Sequence, residues 1–230
     1  MQTVFEEFHT RVHEVNQYFV FLEGLIQENT KLAVLGDNGE QTIKAIDSNL
    51  AKTLKANAFL LLYNLIESTM RNAIEAIFTE ISSQRISFDV VRIEIKKIVI
   101  HNFKKRSPDH VHSRLRNISV DIITAGFQKR ELFSGNVDRD EIIKVARNYG
   151  FSFDTDYSKT KHGEHLYDIM QNRNDLAHGN KSFAEIGQNT SIEDLLKVKQ
   201  EVIEYLQQIL QNIQQYLENQ EYLDSSIQYP

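Results

Sequence analysis

The chain has 230 residues, a net charge of −6 and no cysteine, which excludes disulfide frameworks, cysteine-ligated zinc and thiol nucleophiles. Two prolines and nine glycines are too few for the many tight turns of an all-β sandwich or barrel. Hydrophobic residues make up 41% and charged residues 25% of the chain, a balance typical of a folded globular domain.

Apolar residues at helical spacing predict that the first half of the chain consists of long helices. The first helix covers residues 3–32 and ends before a turn that contains Gly36 and Gly39. The second covers residues 48–83. The segment 87–104 alternates apolar and charged residues, a pattern compatible with a helix or a strand, and we predict a helix.

Capping residues mark the helices of the second half. We predict helices over residues 107–125, 138–150 and 164–176, a loop over 151–163, a helix that starts at Ser182, and a final long helix that starts at Ser191. Apolar residues recur every seven positions in this last helix, which indicates a coiled-coil-like packing face. The simplest architecture is a single all-α domain over residues 1–230.

Positive charge is concentrated in one segment of this acidic chain. Eight lysines and arginines but only two acidic residues lie between Arg92 and Arg116, so the segment carries +6 and the rest of the chain −12. This asymmetry predicts an anionic partner. The alternative is a solvated helix face, or a patch that docks on the acidic remainder. The RNA-binding patch is predicted at Lys96, Lys97, Lys104, Lys105 and Arg106.

Two histidine groups are the only dense sets of potential metal ligands. They are His110 with His112, and His162 with Glu164 and His165. Neither has the spacing that places two histidines and a glutamate on one helix in zinc hydrolases, so we expect no metal site and no cofactor. Phosphate-binding GxxxxGK[ST] and GxGxxG loops and the GxSxG nucleophile motif do not occur in the sequence.

The remaining candidate is the sequence RNDLAHG at residues 173–179, which we call the motif. It places Arg173 five positions before His178 at the predicted end of a helix. Arg106 and His112 form a second arginine–histidine pair, but Ser107-Pro108 follows the arginine there. In an all-α chain, RNDLAHG resembles the HEPN superfamily, whose signature is an arginine, a polar residue and then a histidine at this spacing.

The surrounding sequence extends the resemblance. YNLIESTMR at 63–71 is similar to the polar stretch of an early core helix in HEPN proteins. LFSGNVD, NYGF and SFAE, which begin at residues 132, 148 and 182, are similar to a bacterial, defence-associated group of HEPN-like nucleases. The resemblance implies a HEPN-like helical bundle with long terminal helices, a core at about 48–86 and 160–222, and a helical insertion at about 87–160.

The resemblance also implies a homodimer that cleaves RNA without a metal, in phage defence or a toxin–antitoxin system with a partner from a neighbouring gene. Arg173 and His178 would be the catalytic pair, supported by Asn174. Histidine is suited to accept a proton near neutral pH, and a guanidinium contacts two phosphate oxygens at once. In the alternative interpretation, Arg173 pairs with Asp175 or Glu164, and His178 binds the carbonyl end of the helix.

The spacing of the pair has a geometric consequence. Five residues of helix rotate a side chain by about 140°, so Arg173 and His178 do not share one helix face. A helix end or a second subunit would bring them to one phosphate. A polar strip of Asn64, Glu67 and Arg71 either lines the same cleft and orients the motif, or forms an exposed ion pair between Glu67 and Arg71.

Two functions without catalysis compete with the nuclease. One is a helical module that dimerises and binds a partner or a nucleotide. The other is a coiled-coil-like scaffold in which the motif has no role. The first residues carry two glutamates and no basic region before an apolar run, and the stretch 58–66 is too short to span a bilayer. We therefore expect a cytoplasmic protein.

Overall fold

The computed structural model describes residues 1–27, 30–36, 39–104, 122–123, 125–127, 129, 132–133 and 135–226. Most of these residues are helical, and the predicted all-α class is confirmed. Short 3₁₀ helices cover Phe88–Val90 and Lys161–Gly163. The elements in chain order are α1 (Gln2–Gln27), β1 (Lys31–Leu35), β2 (Gln41–Ala45), α2 (Ser48–Ser83), α3 (Ile93–Lys104), α4 (Arg139–Tyr149), α5 (Tyr157–Thr160), α6 (Leu166–His178), α7 (Phe183–Gln188) and α8 (Ile192–Glu218).

Helix α2 is the centre of the bundle. It packs against α1, α6, α7 and α8, and its apolar side chains are buried on more than one side. Asp47 caps it by accepting a hydrogen bond from the backbone N–H of Leu50. Helix α7 comes close to α2 at a glycine, since a Cβ on Gly187 would lie 1.9 Å from the backbone oxygen of Lys52. Glycine is therefore required at this crossing.

The capping signals predicted several helix boundaries correctly. The side chain of Asp138 accepts a hydrogen bond from the N–H of Glu141 at the start of α4, and Gly150 ends this helix with a left-handed φ of 89°. Ser182 forms the capping box of α7 with Glu185, and Ser191 caps α8. These boundaries depend on contacts within three or four residues, which a sequence displays directly.

The end of the first helix was predicted wrongly. Helix α1 ends at Gln27, and β1 and β2 form an antiparallel hairpin that pairs Lys31 with Ala45. The glycine-containing turn joins these two strands, with the N–H of Gly36 donating to the oxygen of Glu40, instead of ending a helix. All ten strand residues are exposed. Because neither face of the hairpin is buried, the sequence needs no alternation of apolar and polar residues there, and no such pattern identified the strands.

Four other predictions have mixed outcomes. The segment 87–104 is helical from Ile93 onward, as predicted, after a 3₁₀ turn. The predicted loop 151–163 contains α5 and a 3₁₀ helix. The predicted helix 107–125 lies almost wholly outside the described residues. The seven-residue repeat of α8 is a packing face, but Leu195, Val202, Ile209 and Tyr216 are buried within this one chain.

Candidate active site

Arg173 lies on the side of α6 that packs against α2. Its guanidinium carbon is 4.4 Å from the centroid of the Tyr63 ring. Its Nη1 donates to the Asn174 side-chain oxygen at 2.7 Å and to the Gly135 backbone oxygen at 3.3 Å. A cation over an aromatic face is attracted by the ring quadrupole, and these contacts together fix the direction of the guanidinium.

Tyr63 connects this arginine to the segment 135–137. Its hydroxyl donates to the Gly135 oxygen at 2.6 Å and accepts from the N–H of Val137 at 3.2 Å. Burial raises the pKa of the Tyr63 phenol, which keeps the hydroxyl protonated and able to donate. Tyr63 and Arg173 therefore meet on one backbone carbonyl, that of Gly135.

Asn174 holds the other side of the arginine. Its amide nitrogen donates to the side-chain oxygen of Asn136 at 2.8 Å and lies 3.1 Å from the sulfur of Met170. Its oxygen is then turned toward Arg173. Asn174 thus binds Arg173, and the catalytic support that the resemblance implies for Asn174 stays a prediction.

His178 contrasts with Arg173. It is the last residue of α6 and is exposed, and its imidazole has no hydrogen bond or ion pair with any described residue. The helix end is satisfied without it: Gly179, with a left-handed φ of 69°, donates to the oxygen atoms of Asp175 and Leu176. The imidazole is therefore available for an external ligand.

Asp175 has a partner other than Arg173. Its carboxylate lies 2.7 Å from the ammonium of Lys181, and the hydrogen bond from Lys181 holds the pKa of Asp175 below its usual range. Among the described residues, Arg173 forms no ion pair with Asp175 or Glu164, and no hydrogen bond joins the His178 imidazole to the helix carbonyls.

The predicted polar strip divides into two parts. Glu67 and Arg71 form an ion pair of 2.7 Å with side chains only 23% and 20% exposed. Arg71 also donates to the backbone oxygens of Lys129 and Phe133, both at 2.8 Å. The ion pair is therefore not on an exposed face of α2, because Arg71 also binds the backbone of Lys129 and Phe133. Asn64 is exposed and accepts from Arg11 at 3.2 Å, away from these contacts.

Helix α6 of this all-α bundle carries an arginine held by its neighbours and an asparagine that binds this arginine. At its end it carries a histidine with no hydrogen bond or ion pair among the described residues. The chain matches the model of the HEPN_MAE_28990-like HEPN family over residues 1–222. The chain belongs to this HEPN family. No curated protein and no solved structure matches it. The predicted resemblance is confirmed for the HEPN family, while the association with bacterial defence stays a prediction.

Three residues of this candidate site were not among the predicted site residues: Tyr63, Gly135 and Asn136. Their contacts to Arg173 and Asn174 join positions 38 or more apart along the chain, so no local pattern marks them. The available signal was their position in the segments 63–71 and 132–138, both of which resemble HEPN sequences.

The predicted basic patch is only partly described. Lys96 donates to the backbone oxygen of Asp89 at 2.7 Å, whereas Lys97 is exposed and has no hydrogen bond or ion pair with a described residue. Lys105 and Arg106 lie outside the described residues, as does the side chain of Lys104. The patch as a whole remains a prediction.

The histidines first considered as metal ligands have separate partners. The Nδ1 of His162 is 3.0 Å from the hydroxyl of Thr155, and the Nε2 of His165 is 3.0 Å from the buried carboxylate of Glu201. His110 and His112 lie outside the described residues. Within the described part of the chain, no group of three or more histidine, aspartate or glutamate side chains could hold a metal ion, and no helix is long and apolar enough to cross a membrane.

Proposed function

We propose that this HEPN protein is a metal-independent endoribonuclease in which Arg173 and His178 act on the scissile phosphate. The observation that supports it is the contrast within the motif. Arg173 is held by Tyr63, Gly135 and Asn174, whereas the His178 imidazole is exposed and unpaired among the described residues. A preorganised cation and a free proton acceptor are two of the groups that phosphate-ester cleavage requires.

The chemistry uses the 2′-hydroxyl of the RNA as nucleophile. His178 accepts the hydroxyl proton while the 2′-oxygen forms a bond to phosphorus, and the bond from phosphorus to the 5′-oxygen breaks. The products are a 2′,3′-cyclic phosphate and a 5′-hydroxyl, which receives a proton from an imidazolium or from water. Arg173 stabilises the negative charge that develops on the phosphate oxygens. Asn174 restricts Arg173 to the direction in which it meets the phosphate.

A homodimer completes this site. Arg173 faces α2 and His178 points to solvent from the end of α6, as expected for side chains about 140° apart around a helix. A two-fold axis near α6 would place His178 of one subunit beside Arg173 of its mate. Light scattering should then give about twice the chain mass of 26.7 kDa. A mass of one chain at micromolar concentration would contradict the composite site.

Single substitutions test the catalytic roles. His178→Ala and Arg173→Ala should each lower the rate of cleavage of a fluorogenic RNA by about 10²–10⁴. His13→Ala and Arg85→Ala remove the same side-chain types at exposed positions and should leave the rate unchanged. EDTA should have no effect. Parental rates in both motif variants, with the fold intact by circular dichroism, would disprove the proposal.

One observation favours a second candidate, a non-catalytic HEPN-like module that dimerises and binds a partner or nucleotide. The contacts of Arg173 join α6 to α2 and to Gly135, as a structural arginine would. If the protein is such a module, the purified parent protein does not cleave RNA, and the only effect of Arg173→Ala is a lower stability. Cleavage that depends on His178 separates the two candidates, because this imidazole has no structural partner among the described residues.

The setting we propose is phage defence or a toxin–antitoxin pair in the bacterial cytoplasm, with the antitoxin or defence partner encoded nearby. Induced expression should then arrest growth, and His178→Ala should abolish the arrest. A nucleotidyltransferase or restriction gene beside the coding sequence would support this setting. Growth at the parental rate during expression of active protein would argue against it.

A further inference from the structure

Arg173, Asn174 and Asn136 form a chain of hydrogen bonds, which we call the amide relay. Nη1 of Arg173 donates to Oδ1 of Asn174 at 2.7 Å, and Nδ2 of Asn174 donates to Oδ1 of Asn136 at 2.8 Å. A guanidinium has no acceptor, so the amide of Asn174 must turn its oxygen toward Arg173. Its nitrogen then faces Asn136, which must present an oxygen in return. The amide nitrogen of Asn136 is therefore directed away from Asn174.

Both ends of the amide relay offer open hydrogen-bond donors. Asn136 is exposed, and its Nδ2 has no acceptor among the described residues. Nη1 of Arg173 is used by Asn174 and Gly135, whereas its Nε and Nη2 have no acceptor in the described part of the chain. The Nη1 and Nδ2 atoms at the two ends lie at most about 10 Å apart, and one phosphate with a hydrogen bond on each side spans about 8 Å.

The backbone of Asn136 is fixed on both sides. The buried hydroxyl of Tyr63 donates to the oxygen of Gly135 at 2.6 Å and accepts from the N–H of Val137 at 3.2 Å. Gly135 has a left-handed φ of 86°, and a Cβ there would meet no atom within 4 Å, so the glycine serves the backbone conformation rather than close packing. A side chain held in place before a ligand arrives loses little conformational freedom on binding.

We propose that the side-chain amide of Asn136 donates a hydrogen bond to the phosphate that Arg173 binds. The proposal rests on the proposed nuclease function for the identity of that phosphate as the scissile group of RNA. Negative charge increases on the non-bridging oxygens as the 2′-oxygen attacks, and a donor already in position stabilises this charge without reorganisation. This role differs from that of Asn174, whose amide nitrogen is already engaged by Asn136 and Met170.

Two substitutions separate a phosphate donor from a support of Asn174. Asn136→Asp keeps an oxygen that accepts from Asn174 but removes the donor, and Asn136→Ala removes both. Each variant should lower kcat for a fluorogenic RNA by about 10²–10³, the loss that follows removal of one oxyanion donor. If Asn136 only supports Asn174, Asn136→Asp stays near the parental kcat, and that result would overturn the proposal. Parental kcat in both variants would overturn it as well.

The matched control is Asn49→Asp, which makes the same change at an exposed position of α2, about 21 Å along the helix from Tyr63. It should keep the parental kcat. Circular dichroism and urea unfolding should show that all three variants are folded, because Asn136 and Asn49 are both exposed.

The hydrogen bond itself is measured by NMR in the parent protein. The side-chain N–H signals of Asn136 in a ¹H–¹⁵N correlation spectrum are assigned by their loss in Asn136→Ala. Addition of a short 2′-O-methyl RNA, which cannot be cleaved because its 2′-oxygens are blocked, should move one of these proton signals downfield. Arg173→Ala should abolish the shift, and the side-chain signals of Asn49 should not move. Unmoved Asn136 signals at the highest RNA concentration would overturn the proposal.

The nuclease function and the role of Asn136 can fail separately. A parent protein that cleaves no RNA but shows the shift of the Asn136 signals disproves the nuclease alone. An active parent whose Asn136→Asp variant keeps the parental kcat disproves the role of Asn136 alone.

Discussion

Tyr63 is expected to position Arg173 through its ring rather than through its hydroxyl. The aromatic ring lies under the guanidinium at 4.4 Å, while the hydroxyl makes hydrogen bonds to the backbone of Gly135 and Val137. Two substitutions separate these parts. Tyr63→Phe keeps the ring and removes the hydroxyl, and Tyr63→Leu removes the ring as well.

The expected magnitudes follow from burial. Tyr63 is 3% exposed and Val137 is fully buried, so Tyr63→Phe leaves a buried N–H without its acceptor. An unsatisfied buried donor costs about 1–3 kcal/mol of the free energy of unfolding. The ring contact with Arg173 is worth about 0.5–2 kcal/mol. A double-mutant cycle between Tyr63→Leu and Arg173→Ala should therefore give a coupling energy in this second range, and the cycle with Tyr63→Phe should give less.

Urea unfolding followed by circular dichroism measures the cycles, and cleavage of a fluorogenic RNA measures positioning. Tyr63→Phe should keep kcat within a few-fold, whereas Tyr63→Leu should lower kcat by up to about 10², the cost of displacing a catalytic group by about 1 Å. KM should change less in both variants. A folded Tyr63→Leu protein with zero coupling to Arg173 and the parental kcat would refute this reasoning.

Three further predictions concern the scaffold. Gly187→Ala should cost about 1–3 kcal/mol of unfolding free energy, because its Cβ would collide with the backbone of Lys52, while Gln188→Ala on the same helix should cost little. Arg71→Lys should cost about 1–3 kcal/mol, since the single nitrogen of an ammonium cannot occupy the separate positions from which the guanidinium nitrogens reach Glu67 and two backbone oxygens; parental stability in urea would contradict this. Burial raises the pKa of Tyr18 to about 12, and it also raises the pKa values of Tyr149, Tyr205 and Tyr216. The contribution of these buried phenols to the free energy of unfolding should therefore be fully present below the unfolded-state pKa of about 10 and be lost as the pH rises through about 12. Constant urea midpoints across that range would contradict this prediction.

What the sequence predicted correctly depends on local chemistry. Asp138, Ser182 and Ser191 accept hydrogen bonds from the backbone N–H group three residues ahead, and Gly150 and Gly179 adopt left-handed backbone at helix ends. Such signals occupy a few adjacent positions, so they are readable without a fold. The central helix Ser48–Ser83 was equally accessible, because its long apolar run has no glycine or proline.

What the sequence did not predict depends on contacts between distant residues or on missing burial. The hairpin of β1 and β2 is exposed on both faces, so apolar and polar residues do not alternate along its sequence. Within the candidate site, Arg173, Asn174 and His178 came from the motif, but the residues that orient Arg173 did not. Tyr63 and Gly135 meet Arg173 only after α2, the segment 135–137 and α6 have packed together.

Mixing two inactive variants tests most directly whether Arg173 of one subunit and His178 of its mate act on one phosphate. Purified Arg173→Ala and His178→Ala proteins are each assayed for RNA cleavage, then mixed under conditions that exchange subunits and assayed again. In a mixed dimer one of the two composite sites keeps both side chains. Cleavage should therefore return to about a quarter of the parental rate, because half of the dimers in an equal mixture are mixed and each has one intact site. Subunit exchange with no recovery of activity would contradict the composite site.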